Sequence, residues 1–124
     1  MAHDPENPRI ILIEDDPAIS EVVRDILAFE GYAVQSYATT TEALPYLKSA
    51  DVIVADGVGD DYSSLSDATR ERIREVASYA PTILHSARTW AMQTPPEELG
   101  VHAIVPKPSD MGDLLDAVAG ALRR

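Results

Sequence analysis

Five short apolar runs punctuate this chain, separated by longer stretches whose apolar residues recur at helical spacing. Ile10-Ile11-Leu12-Ile13 is the first, an unbroken segment of the kind that forms a strand buried on both faces. It ends in Glu14-Asp15-Asp16 followed by Pro17, which predicts a helix N-cap with proline at the first helical position. Ile19, Val22, Val23, Ile26 and Leu27 then line one helix face, and Gly31 stands where a C-terminal cap belongs. Residues 32–37 alternate weakly and predict a second strand. A helix is expected over 39–48, kinked or starting late, because Pro45 would cost about 3 kcal/mol in a helix interior.

Residues 51–55 predict a third, fully apolar strand with Asp56 at its C-terminal end, and Gly57-Val58-Gly59-Asp60-Asp61 has loop chemistry. A helix over 66–79 carries Ile73, Val76 and Ala77 on its apolar side. Residues 81–84 predict a fourth strand leading to His85 and Ser86. The stretch 88–100 is the least regular; Thr94-Pro95-Pro96-Glu97 resembles a helix start with a capping box, leaving about one turn before Gly100. Residues 101–105 predict a fifth strand, stopped by Pro106-Lys107-Pro108. Ser109 or Asp110 then caps a last helix with Met111, Leu114, Leu115, Val118, Ala119 and Leu122 on one face. Strands alternating with helices imply an α/β fold: a five-stranded parallel sheet with right-handed crossovers and helices on both faces. In such sheets functional groups gather beyond the carboxyl ends of the strands.

Composition narrows the classes. A chain of 124 residues is one domain, with residues 1–8 expected as a flexible N-terminal tail and 9–124 as the folded unit. Cysteine is absent, which excludes disulfides and thiolate metal sites. The net charge is −11 with only 10 Lys and Arg, scattered along the chain, which argues against direct nucleic-acid binding. No apolar run approaches the roughly 20 residues of a membrane span. The polar start Met1 to Pro8 is no signal peptide, so a cytoplasmic protein without membrane contact is expected.

Candidate chemistry lies at the strand ends. Glu14 and Asp15 close the first strand, Asp56 the third and Ser86 the fourth, and Lys107 follows the fifth. One carboxylate at a strand end is more often a solvated loop residue. Four strand ends delivering acids, a hydroxyl and an amine to the same edge require a coincidence at each. Other constellations fail: His3, His85 and His102 share no ligand spacing, Gly-x-Ser-x-Gly is absent, and Gly57 with Gly59 opens no helix at dinucleotide-binding spacing.

From about Arg9 to Leu122 the chain resembles the receiver domain of bacterial two-component response regulators, in its stand-alone, chemotaxis-Y-like form. The resemblance rests on Ile11-Leu-Ile-Glu-Asp-Asp-Pro17, Val52-Ile-Val-Ala-Asp56, Ile83-Leu-His-Ser-Ala87 and Val105-Pro-Lys-Pro108 in this order. It implies the flavodoxin-like strand order 2-1-3-4-5. It makes Asp56 the acceptor of a phosphoryl group from a sensor histidine kinase or a histidine phosphotransfer protein. Mg2+ would be held by Glu14, directly or through water, by Asp15 and Asp56, and by the backbone carbonyl of Val58, a set suited to a hard cation. Lys107 would pair with Asp56 and then contact a phosphoryl oxygen, Ser86 would contact another, and the peptide before Pro108 would be cis. The protein would be a phosphoacceptor, not an enzyme, that switches or relays a signal through an unspecified protein partner.

Elementary physics agrees with these roles. Phosphoryl transfer needs an in-line nucleophile, which a carboxylate can be, and cationic groups to neutralise the equatorial oxygens. Two like charges ~4 Å apart repel by about 4 kcal/mol at an effective dielectric of about 20. The acid cluster should therefore raise at least one carboxylate pKa unless Mg2+ or Lys107 compensates, and Asp56→Asn should stabilise the metal-free fold. Departures from the family concern output. Ile104 stands where receivers usually carry Tyr or Phe, the fourth helix is shortened, and Trp90 is either a replacement mobile aromatic or plain packing. Val58 and Arg88 occupy positions that tune phosphoryl lifetime. A competing reading is a receiver-like scaffold that binds its partner whatever the state of Asp56. A haloacid-dehalogenase-type phosphohydrolase is set aside because Val58, not an acid, lies two residues beyond Asp56.

Overall fold

The structure, a computed structural model, describes residues 7–56, 65–107 and 111–123. Strands β1 (Arg9–Ile13), β2 (Ala33–Tyr37), β3 (Val52–Ala55), β4 (Thr82–Ser86) and β5 (Ala103–Pro106) form one sheet in the order β2-β1-β3-β4-β5. Every neighbouring pair is parallel. Between the strands run α1 (Pro17–Phe29), α2 (Thr40–Ala43), α3 (Asp67–Ala77) and α4 (Pro96–Leu99), and α5 (Met111–Leu122) follows β5. This is the doubly wound arrangement expected from the alternation.

Strand periodicity divides the core in two. Ile11, Ile13, Ile53, Ala55 and Leu84 face Ala43, Leu47, Ile73, Val76 and Leu99 on one side of the sheet. Ile10, Leu12, Val52, Val54, Ile83 and Val105 face Val23 and Leu27 of α1 and Leu114 and Val118 of α5 on the other. Successive residues of a strand point to opposite faces, so runs such as 10–13 must be apolar throughout. β5 lies at the sheet edge, where Pro106 is tolerated.

Local signals explain the boundaries. The Asp16 carboxylate caps α1, accepting from the N–H groups of Ala18 (2.9 Å) and Ile19 (3.3 Å). Its other end closes in a Schellman turn: Gly31, at φ 98°, donates to Ala28 O (3.0 Å), and Tyr32 to Leu27 O (3.3 Å). The helix expected over 39–48 is split by Pro45 into four α-helical residues and a 3-10 turn, Leu44–Ser49. The capping box expected at Thr94 does not form. Pro95 takes the cap position of α4, and the Thr94 hydroxyl donates instead to the carbonyl of Trp90 at 2.7 Å. Trp90 is buried in the core cluster and is packing. The 57–61 loop, the cap at Ser109 or Asp110, the Lys107–Pro108 peptide and most of the expected tail lie outside the described residues. Among the described residues no helix is long and apolar enough to cross a membrane.

Candidate functional site

The sheet's hydrogen bonding runs one step past the strand ends and places the acids. Glu14 N–H donates to Tyr37 O and Asp56 N–H to Ile13 O, both at 2.9 Å, so the two residues stand side by side beyond β1 and β3. Lys107 N–H donates to Ser86 O at 2.9 Å and sets the lysine beyond β5. These residues and Asp15, Asp16, Pro17, Ile19, Ala87 and Arg88 line an open cleft of about 470 Å³, with Ser86 not among them.

Glu14, Asp15 and Asp56 each bring one carboxylate oxygen within 4.8 Å of the others. An ion about 2.0–2.1 Å from each ligand requires oxygens roughly 3–4 Å apart, a small side-chain rotation from this arrangement. The donor set, oxygen only and graded from buried Glu14 to exposed Asp15, fits a hard divalent cation that keeps several waters. Val58, whose carbonyl was expected to join them, lies outside the described residues.

Two cations offset part of the charge of the three acids. Lys107 Nζ donates to Glu14 Oε1 and lies 3.7 Å from Asp56 Oδ1, so its hydrogen bond is to Glu14, with Asp56 as the more distant partner. The second cation is Arg88, whose guanidinium Nη1 sits 2.9 Å from Asp56 Oδ1 with both side chains largely buried. This pairing was not anticipated from the sequence, where Arg88 figured only as a tuning position. The available signal was a lone arginine in the otherwise uncharged run Leu84 to Trp90, two residues past a strand-end serine. Burial pushes the Glu14 carboxyl above its usual range and the neighbouring Asp56 charge adds to this, while Lys107 and the N–H of Asp16 oppose it. One carboxylate is thus raised despite the lysine, but by burial first and by crowding with Asp56 only as a smaller contribution.

Ser86 and His85 end β4 on opposite faces. Ser86 is fully buried, and its Oγ accepts from the N–H of Arg88 at 3.1 Å, which turns the chain so that the arginine enters the cleft. His85 points to the α1/α5 side and lines a second, apolar groove with Ile19, Val22 and Met111. Ile104 pairs in register with Leu84 and packs on the α3 side of the sheet.

No protein-family model matches the chain. Among curated proteins, the transcriptional regulatory protein TrcR of Mycobacterium tuberculosis is 29% identical over 119 residues, which are 94% of this chain and 46% of TrcR. The chain spans about half, or less, of the curated relatives it matches. Among solved structures, the non-phosphorylated HemR receiver domain of Leptospira biflexa superposes with a TM-score of 0.72 at 24% identity, covering 95% of this chain and 96% of that one. A response-regulator receiver domain protein of Clostridium thermocellum gives 0.75 at 21% identity, covering 94% and 95%. The chain has the fold of response-regulator receiver domains, and its sequence is similar along nearly its whole length to regulators of that kind.

Proposed function

We propose that this chain takes a phosphoryl group on Asp56, from the phosphohistidine of a sensor histidine kinase or a histidine phosphotransfer protein, and passes the signal on through protein contact in the cytoplasm. The observation that carries this reading is the convergence of Glu14, Asp15 and Asp56 at one sheet edge with Lys107 and Arg88 among them. In the transfer a carboxylate oxygen of Asp56 forms a bond to phosphorus as the phosphorus–nitrogen bond of the donor breaks and its electron pair returns to the imidazole. Glu14, Asp15 and Asp56 would hold Mg2+, which supplies charge neutralisation for the phosphoryl oxygens. Lys107, already 3.7 Å from Asp56, adds a positive charge beside the new group. The Ser86 hydroxyl, buried and bonded to the N–H of Arg88, reaches a phosphoryl oxygen when the 86–88 segment shifts, which gives the modification a structural consequence. The protein is a phosphoacceptor taking part in its own phosphorylation and dephosphorylation.

One observation favours a second reading, a scaffold that acts independently of phosphorylation: Ile104 is partly buried against the core and has no ring to reorient. Intact-mass measurement after incubation with Mg2+ and a small acyl phosphate separates the two. The proposal expects one added phosphoryl group, lost in Asp56→Asn. Folded protein that gains no mass, with cognate kinase also supplied, would leave the scaffold.

A further inference from the structure

Arg88 reaches Asp56 from a buried backbone. Its N–H is held by Ser86 Oγ and its side chain is 7% exposed, so the guanidinium is delivered to the cleft by a fixed turn and not by a mobile surface arm. Nη1 donates to Asp56 Oδ1 at 2.9 Å, and Lys107 stands 3.7 Å from that same oxygen. A charge-assisted hydrogen bond in a largely dehydrated site is among the stronger polar contacts a protein makes. Asp56 is also the carboxylate that Glu14 and Asp15 approach closely enough to share an ion. One carboxylate therefore serves two claimants, a resident guanidinium and any divalent cation.

We infer that Arg88 is a positioning residue that competes with the divalent cation for the Asp56 carboxylate, holding the site at low metal affinity until the ion concentration, or an incoming phosphoryl donor, draws the guanidinium away. This rests on the metal-dependent reading of Asp56 given above. The carboxylate can turn to offer its other oxygen to a metal, but the guanidinium then remains as a fixed positive charge beside the ion. Lys107 competes less for Asp56, because its own hydrogen bond is made to Glu14. The cleft is thus poised: its two cations offset part of the acids' charge in the absence of metal, and metal binds against the charge of the guanidinium unless Arg88 yields.

Isothermal titration of Mg2+ into the wild type, Arg88→Ala and Arg70→Ala tests this. Arg70 lies away from the cleft in a surface pair with Glu98 (3.8 Å), and reports what loss of a remote positive charge does by itself. Arg88→Ala should tighten Mg2+ binding by about tenfold or more, as expected for removing a charge-assisted contact from a ligand, and Arg70→Ala by less than about twofold, as for a screened surface charge. Should Arg88→Ala not fold, Arg88→Gln removes the charge, keeps an amide donor and should shift affinity in the same direction. Unchanged or weaker affinity in the Arg88 variants, or an equal gain in Arg70→Ala, overturns the inference. If phosphoryl uptake persists in that case, the competition alone is wrong. Absence of Mg2+ binding and of phosphoryl uptake in every protein overturns the reading of Asp56 as well.

Discussion

Replacing His85 with leucine removes a polar ring from the sheet face covered by α1 and α5. His85 is 2% exposed, and its Nε2 has no hydrogen-bond partner among the described residues. Burial, and secondarily the positive charge of Lys107, pushes its pKa down from 6.5 to about 4. The folded protein therefore keeps the imidazole neutral at a pH where the unfolded chain already binds a proton. The associated stability is complete above pH 6.5 and is lost as the pH falls from there towards about 4. The loss amounts to about 2 kcal/mol near pH 5 and about 3 kcal/mol near pH 4. Urea unfolding followed by circular dichroism at about pH 7.5 and about pH 5 measures it for wild type and His85→Leu. Carboxylates titrate in both proteins and largely cancel in the comparison. The wild type should lose about 2 kcal/mol more than the variant between the two conditions. The variant should also be no less stable near neutrality, because an unpaired buried polar atom costs about 1–3 kcal/mol. Parallel pH dependence of the two proteins would refute the argument.

Other perturbations follow from the ion pairs. Lys107→Met strands the buried carboxylate of Glu14 and should cost about 3 kcal/mol near neutral pH by urea titration. The Glu14 pKa is raised in the folded state, so its unfavourable ionisation is absent below the ordinary value of 4.5 and sets in as pH rises through the folded value; the Lys107→Met deficit should therefore narrow on acidification. Asp56→Asn in metal-free protein should lower thermal stability by about 1–2 kcal/mol, because Arg88 exchanges a carboxylate for a neutral amide acceptor. This reverses the sign that carboxylate crowding alone suggests. A Tm at or above that of the wild type would restore the simpler view.

Strands and their order of chemistry were readable because apolar runs such as 10–13 and 52–55 have no other way to be buried, and because each ends on a chemically distinct residue. Asp16-Pro17 and Gly31 marked the limits of α1 through backbone requirements that depend on no distant contact. Thr94 misled, since α4 starts one residue later with Pro95 at the cap, and the Thr94 hydroxyl donates to the carbonyl of Trp90. In the cleft, position at the carboxyl ends of parallel strands placed Glu14, Asp56 and Lys107 at one edge. Which cation meets which acid was beyond it, because that is decided by side-chain length and rotamer across three strands. Lys107 accordingly bonds to Glu14, and Arg88, arriving from a stretch without periodicity, takes Asp56.

The central claim is that Asp56 itself bears the phosphoryl group. Borohydride reduces an aspartyl phosphate to homoserine, so protein treated with Mg2+ and acyl phosphate, then reduced and digested, reports the acceptor by peptide mass mapping. Homoserine at position 56, and at no other acidic residue of the cleft, is the result predicted here. Conversion at Asp15 or Glu14, or none at position 56 when Mg2+ is present, would contradict it.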